Sequence, residues 1–134
     1  MIKYLLDTDT FSQLAKGIHP GIAARAGALP ADEVALSVIT AGEIRFGLAL
    51  HPVRAALRRQ IDQLLGIFAV LGLDADAAPH YAKVRTALAR KGTPIGPNDL
   101  WIAAQALTHK LVLVTNNTRE FSRVPQLKIE NWLA

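Results

Sequence analysis

The sequence predicts an α/β fold with a short, mainly parallel central sheet. Three observations carry that expectation. Short apolar runs of strand length alternate along the chain with longer stretches whose apolar residues recur at helical spacing. Such alternation requires crossover connections, which give a parallel sheet with helices on both faces. The 134 residues are 51% hydrophobic and only 19% charged, which is ample core material and no signature of disorder. The chain also has no cysteine, so disulfides, thiolate catalysis and most structural zinc sites are removed together. A single domain spanning 1–134 is expected, with no linker, internal repeat or low-complexity segment.

The elements come in order along the chain. Ile2 to Leu6 reads as a short buried strand, bounded by Asp7-Thr-Asp-Thr10, with a helix through Phe11 to Lys16. Gly17 and Pro20 punctuate it; Gly21 to Leu29 resumes a helical pattern until Pro30. Glu33 to Ser37 is a second strand and Thr40 to Leu50 a helix. Val53 to Phe68 is amphipathic, with Leu57, Ile61, Leu64, Leu65 and Phe68 on one face and Arg58, Arg59 and Asp62 opposite. Val70 to Leu73 reads as a third strand, succeeded by a helix from Asp74 to Lys91. Gly92-Thr-Pro-Ile-Gly-Pro97 is a loop, and Asn98 is expected to cap a helix over Asp99 to His109. Leu111 to Thr115 is the clearest strand, and Leu127 to Ile129 a final edge strand.

A net charge of +4 and a pI near 9.8 fit either a nucleic-acid partner, through counterion release from phosphates, or plain solubility. No apolar run reaches the roughly 18 residues of a membrane helix, and the opening segment is too short and too soon acidic for a signal peptide, so a cytoplasmic protein is expected. No Gly-rich phosphate loop or serine nucleophile elbow is present. His19, His51, His80 and His109 lack metal-ligand spacing. Trp101 reads as core rather than as a stacking platform, and Asp74 and Asp76 as caps.

In a parallel sheet every strand ends on one edge, and the crossover helices begin over it. Asp7 comes directly after the first strand, and Asn116 and Asn117 directly after the late one. Glu43 lies near the start of the helix after the second strand, and Asp99 at the start of the helix feeding the late strand. All face one rim. Each acid also has a capping explanation: Thr40-Ala-Gly-Glu43 fits a capping box, Asp99 suits a helix dipole, and Asp7 can cap the helix after it. Capping does not explain why three acids share a rim in a basic protein. Converging carboxylates repel, and a hard divalent cation is the usual remedy.

Four segments carry a further likeness: Tyr4-Leu-Leu-Asp-Thr-Asp9, Ile39-Thr-Ala-Gly-Glu-Ile44, Gly92-Thr-Pro-Ile-Gly-Pro-Asn-Asp-Leu100 and Val114-Thr-Asn-Asn-Thr-Arg-Glu-Phe121. Together, in order, they resemble the PIN-domain ribonucleases, and specifically the VapC-type toxins of bacterial toxin-antitoxin pairs. The likeness runs to Glu130-Asn-Trp-Leu133 and so spans essentially the whole chain.

The resemblance implies a three-layer α/β/α sandwich whose acids bind Mg²⁺ or Mn²⁺ and hydrolyse RNA. Asp7, Glu43 and Asp99 match the first three acidic positions. The fourth, commonly Asp, falls on Asn117, which brings no charge and so leaves the site more dependent on the other three. Where the family usually has Asn, this chain has Asp9, which either restores negative charge or caps the first helix; the cap is the expectation. Among the basic residues near the rim, Arg45, Arg85, Arg90, Lys91 and Arg119, the candidates for substrate binding are Arg45, Arg85 and Arg119. Further implications are a structured RNA target such as tRNA, a VapB-like antitoxin, a toxin homodimer within the larger complex, and operator DNA bound only through the antitoxin. Two other readings are a phosphorylation receiver, which lacks its phosphoacceptor Asp and late Lys here, and a catalytically degenerate PIN domain that binds RNA or a partner.

Overall fold

The computed structural model describes residues 1–133. Five parallel strands, β1 (Tyr4–Leu6), β2 (Val34–Ser37), β3 (Ala69–Leu71), β4 (Val112–Val114) and β5 (Ile129–Glu130), form one sheet in the order β3-β2-β1-β4-β5. Leu5 sits opposite Ala35 on one side and Leu113 on the other. β1 is therefore central and lies between strands from distant parts of the chain.

Period-two alternation divides the strand residues between two cores. Leu5, Ala35 and Leu113 pack with Val84, Leu88, Ile102, Ala106 and Phe121, from helices α5 (Ala77–Arg90), α6 (Pro97–Thr108) and α7 (Thr118–Phe121). Leu6, Val34, Leu36 and Val114 pack with Phe11, Ile22, Leu48, Ile61 and Leu65, from α1 (Thr8–Lys16), α2 (Pro20–Gly27), α3 (Val38–Leu50) and α4 (Ala55–Ile67). Burial on both faces is why these strands read as continuous apolar runs. The expected α/β/α sandwich is present. Among the described residues, no helix is long and apolar enough to cross a membrane.

Several expected boundaries move by one to three residues, and the caps change identity. α6 starts earlier than expected because Pro97 occupies its first turn, where the missing N–H has no cost. Gly96 is therefore the N-cap, and Asn98, expected to cap, lies inside the helix. α5 starts at Ala77, and neither Asp74 nor Asp76 caps it through its side chain; the Asp74 carboxylate instead lies 3.3 Å from His109 Nε2. Trp101, expected in the core, is half-buried and stacks on Tyr81, with ring centroids 3.9 Å apart and planes 15° apart.

Two non-glycine residues among those described take a left-handed conformation, Lys110 (φ 55°) and Gln126 (φ 66°). Lys110 closes α6, where Leu111 N–H returns to the Ala106 carbonyl at 2.8 Å. Gln126 comes after Pro125 in a turn that demands positive φ, the position at which glycine is favoured. The left-handed penalty of roughly 1–2 kcal/mol exceeds the roughly 0.5–1 kcal/mol of extra entropy that glycine loses on folding. Gln126→Gly should therefore raise stability by about 0.5 kcal/mol, read as a higher midpoint in thermal unfolding.

Candidate active site

The chain winds from β1 outward through β2 to β3, then crosses back to lay β4 and β5 on the other side of β1. The crevice beyond the carboxyl ends of β1 and β4 is the switch point of this order, where open α/β sheets bind their ligands. Asp7 leaves β1 into that crevice, and Thr115, Asn116 and Asn117 leave β4 beside it.

Asp7 is the N-cap of α1, so the capping explanation describes it correctly and does not exhaust it. One carboxylate oxygen accepts from Thr10 N–H at 2.9 Å. The other accepts from the Thr115 hydroxyl at 2.6 Å, across 108 residues of chain. Only 5% of Asp7 is exposed, and burial raises its pKa against the lowering effect of the Thr115 and Thr10 bonds. Thr115 Oγ1 also accepts from Asn117 N–H at 2.9 Å, so one buried hydroxyl ties the end of β4 to the end of β1. Thr115→Val would leave a buried carboxylate oxygen without its donor, at a cost of about 1–3 kcal/mol. Urea unfolding at neutral pH measures that loss; an unchanged midpoint would show that the bond contributes nothing.

Glu43 does not close a capping box, contrary to the expectation from Thr40-Ala-Gly-Glu43. α3 begins earlier, at Val38, and the Ser37 hydroxyl accepts from Ile39 N–H at 3.0 Å. Thr40 and Glu43 are thereby moved into the body of the helix. Thr8 Oγ1 donates to Glu43 Oε1 at 2.7 Å and lies 3.2 Å from Thr40 Oγ1. A threonine next to Asp7 thus holds Glu43 toward the same crevice. Asp9, expected to cap α1, does not; it is exposed in the first turn, and its charge contributes to raising the Asp7 pKa.

Asp99 lies in the first turn of α6, half-buried. Its pKa is pushed up to about 7, first by burial, then by the charge and shared hydrogen bond of Glu120, and then by the charges of Asp7 and Glu43. Glu120, not among the three expected acids, thus lies near enough to Asp99 to act on it together with Asp7 and Glu43. Asn117, one turn before it, donates from Nδ2 to Glu120 Oε2 at 2.5 Å. The amide holds this fourth acid rather than leaving the Asn117 corner neutral. Glu120 is present in the segment Thr118-Arg-Glu-Phe121, and the signal that finds it is helical spacing: three residues after Asn117 it returns to the same face of α7.

The basic candidates are less assembled. Arg45, on α3, and Arg119, on α7, are exposed and make no ion pair among the described residues. Arg85 lies 5.9 Å from the Tyr81 ring centroid and donates to the Tyr81 hydroxyl at 2.9 Å, which ties it to its own helix. Arg90 and Lys91 are exposed at the end of α5.

A parallel sheet in this order, with acids gathered at its switch point, defines a class of protein: the PIN-domain model matches residues 4–127, and the chain belongs to the PIN-domain family. Within that family it is similar to VapC ribonucleases. The tRNA(fMet)-specific endonuclease VapC of Salmonella typhimurium is 39% identical over 134 residues, covering 98% of this chain and 99% of the relative. Ribonuclease VapC1 of Haemophilus influenzae is 36% identical over 130 residues, covering 96% and 97%. Among solved structures, VapBC2 of Rickettsia felis bound to a DNA fragment from its promoter superposes with a TM-score of 0.89 at 31% identity, covering 98% of this chain and 99% of that one. DNA-bound VapBC of Salmonella typhimurium gives 0.87 at 37% identity, again covering 98% and 99%.

Proposed function

We propose that the chain, read as one domain over 1–134, is a Mg²⁺-dependent endoribonuclease toxin, for which Mn²⁺ can substitute, acting on structured RNA such as tRNA and so inhibiting translation. The observation that carries this reading is the carboxylate cluster in which Asp99 is driven to about 7 by burial and by the charges of Glu120, Asp7 and Glu43. VapC relatives named as ribonucleases and as tRNA-specific endonucleases support it.

The donor set suits a hard cation: all four carboxylates offer oxygen, and no cysteine is available to favour a softer metal. Among the described residues, no three acidic or imidazole side chains are yet drawn around one point. The Thr8 and Thr115 hydroxyls keep Glu43 and Asp7 oriented toward the crevice. Asp7 and Asp99 would hold the metal, with Glu43 completing its shell directly or through water. When bound, Mg²⁺ neutralises charge on the phosphate and acidifies water.

Glu43 would orient or deprotonate the attacking water, and Asn117 would position water or substrate or, through its bond to Glu120, the neighbouring carboxyl of Asp99. Attack by water rather than by the ribose 2′-hydroxyl leaves a 5′-phosphate and a 3′-hydroxyl. Arg45 and Arg119 are candidates to track substrate phosphates, with Arg85 available from α5. The degenerate-module alternative rests on Asn117 and loses that ground with Glu120 in the cluster.

A VapB-like antitoxin is the proposed partner, with operator DNA reached only through it. The stretches Ala41 to Leu50 and Val53 to Leu65 carry exposed apolar residues, among them Phe46 at 66% and Leu50 at 58% exposure. Part of this surface is assigned to a toxin homodimer and part to the antitoxin. A purified chain that stayed monomeric at high concentration and bound no VapB peptide would overturn this assignment. The cytoplasm is the compartment these roles require. Incubation with total RNA tests the activity: cleavage with Mg²⁺, none with chelator, and 5′-phosphate ends are expected. Chelator-resistant cleavage or 2′,3′-cyclic ends would overturn it.

A further inference from the structure

At the other edge of the sheet, a cavity of about 440 Å³ opens between the middle of α5, the carboxyl end of α6 and the turn before β5. Its wall is aliphatic, formed by Val84, Ala87, Ala106, Leu107 and Leu111. Lysines 83, 110 and 128 line it as well, with His80, and no acidic residue does. The volume falls within the roughly 300–1,000 Å³ of small-molecule sites, and an apolar wall with a few convergent polar groups is their usual composition. Asp99 lies in the first turn of α6 and Ala106, the first lining residue on that helix, comes seven residues later, so at about 1.5 Å per residue the cavity begins about 10 Å along the helix from Asp99. The cavity is thus separate from the carboxylate crevice.

We propose that this cavity binds a single-tailed amphipathic anion: an alkyl chain against the aliphatic wall, with a carboxylate or phosphate headgroup among the lysines. Charge complementarity selects the headgroup, because three ammonium groups without a lining carboxylate leave net positive charge at an apolar opening. The wall selects the tail. Among the described residues no Phe, Tyr or Trp lines the cavity, and its aliphatic wall matches an alkyl chain better than a nucleobase. Both left-handed non-glycine residues, Lys110 and Gln126, lie in this lining.

Titration of the full chain with decanoate, monitored by amide NMR, tests the assignment. Saturable shifts at Val84, Leu107 and Leu111 are expected, with decyl phosphate producing the same pattern. Decanol, which lacks the charge, and inorganic phosphate, which lacks the tail, should each bind at least about tenfold more weakly. Lys83→Gln combined with Lys128→Gln, both exposed positions, should weaken decanoate about tenfold, the effect of two exposed ion pairs. Ala87→Leu, checked for folding by circular dichroism, should block binding by filling the cavity. No saturable shift with decanoate, equal binding of decanol, or indifference to the lysine substitutions would each overturn the proposal. So would binding to phosphatidylglycerol vesicles in the absence of binding to monomeric decanoate, which would make the basic rim a membrane contact.

Discussion

Asp99→Asn should abolish measurable RNA cleavage and yet make the metal-free protein more stable at pH 8. The activity loss arises from removing a charged ligand from the proposed metal site; several kcal/mol of transition-state stabilisation correspond to about a thousandfold in rate. The stability gain arises from linkage. The Asp99 carboxyl has a pKa of about 7 in the folded chain against 3.8 as the ordinary value. Below 3.8 it is protonated in both states and folding carries no charge penalty. As pH rises toward 7 the unfolded chain ionises first, so stability falls through that window, and above 7 the full penalty of placing the charge beside Glu120, Asp7 and Glu43 is present. Asparagine removes the penalty, giving about 2 kcal/mol at pH 8 once solvent screening at this half-buried position is allowed for, and nothing near pH 4. Urea unfolding with chelator at the two pH values measures the difference. Added Mg²⁺ should raise the unfolding midpoint of the wild type at pH 8 much more than that of the variant. A variant no more stable than wild type at pH 8 would show that the carboxylates do not repel as described.

Glu120→Gln should lower cleavage by about a hundredfold, the scale found when groups supporting a metal site are removed. It should also bring the Asp99 pKa down toward the ordinary carboxylate range, because Glu120 is the largest charged contributor after burial. Asn117→Ala acts through the same carboxylate, by deleting the 2.5 Å bond that holds it. Its loss should be smaller, about tenfold, and the double variant should be no worse than Glu120→Gln alone. Non-additivity of this form separates positioning from an independent catalytic contribution. Additive losses would mean that Asn117 touches substrate by itself. The Asp99 titration, monitored by carboxyl NMR, provides a readout that a merely unfolded variant could not imitate.

The sheet was legible because its central strands are buried on both faces, which writes Tyr4–Leu6, Val34 to Leu36 and Val112–Val114 as unbroken apolar runs. The rim was legible for the same reason, since parallel strand order decides which ends face the ligand. Helix starts were less so: Ser37 and Thr40 are equally good caps in sequence, and only the register of α3 against β2 chooses Ser37. Glu120 was obscured by its context. Local spacing identifies it as one turn beyond Asn117, but its approach to Asp99 depends on how α7 packs against α6, a contact between segments with no shared periodicity. Thr8 and Thr115, which hold two of the acids, carry no charge and so gave no signal of their own.

The position of β1 between β2 and β4 also determines when the cluster can exist. A ribosome adding about 5–20 residues per second reaches Thr115 roughly 5–20 s after Asp7, since 108 residues separate the two. Until then the central strand has a partner on one side only, and Asp7 and Glu43 stand without Thr115, Asp99 or Glu120. A nascent chain, or one interrupted before β4, therefore carries two of the acids and none of the enclosure that aligns them. Topology thus delays any nuclease activity until late in translation, when the chain is nearly able to meet whatever restrains it.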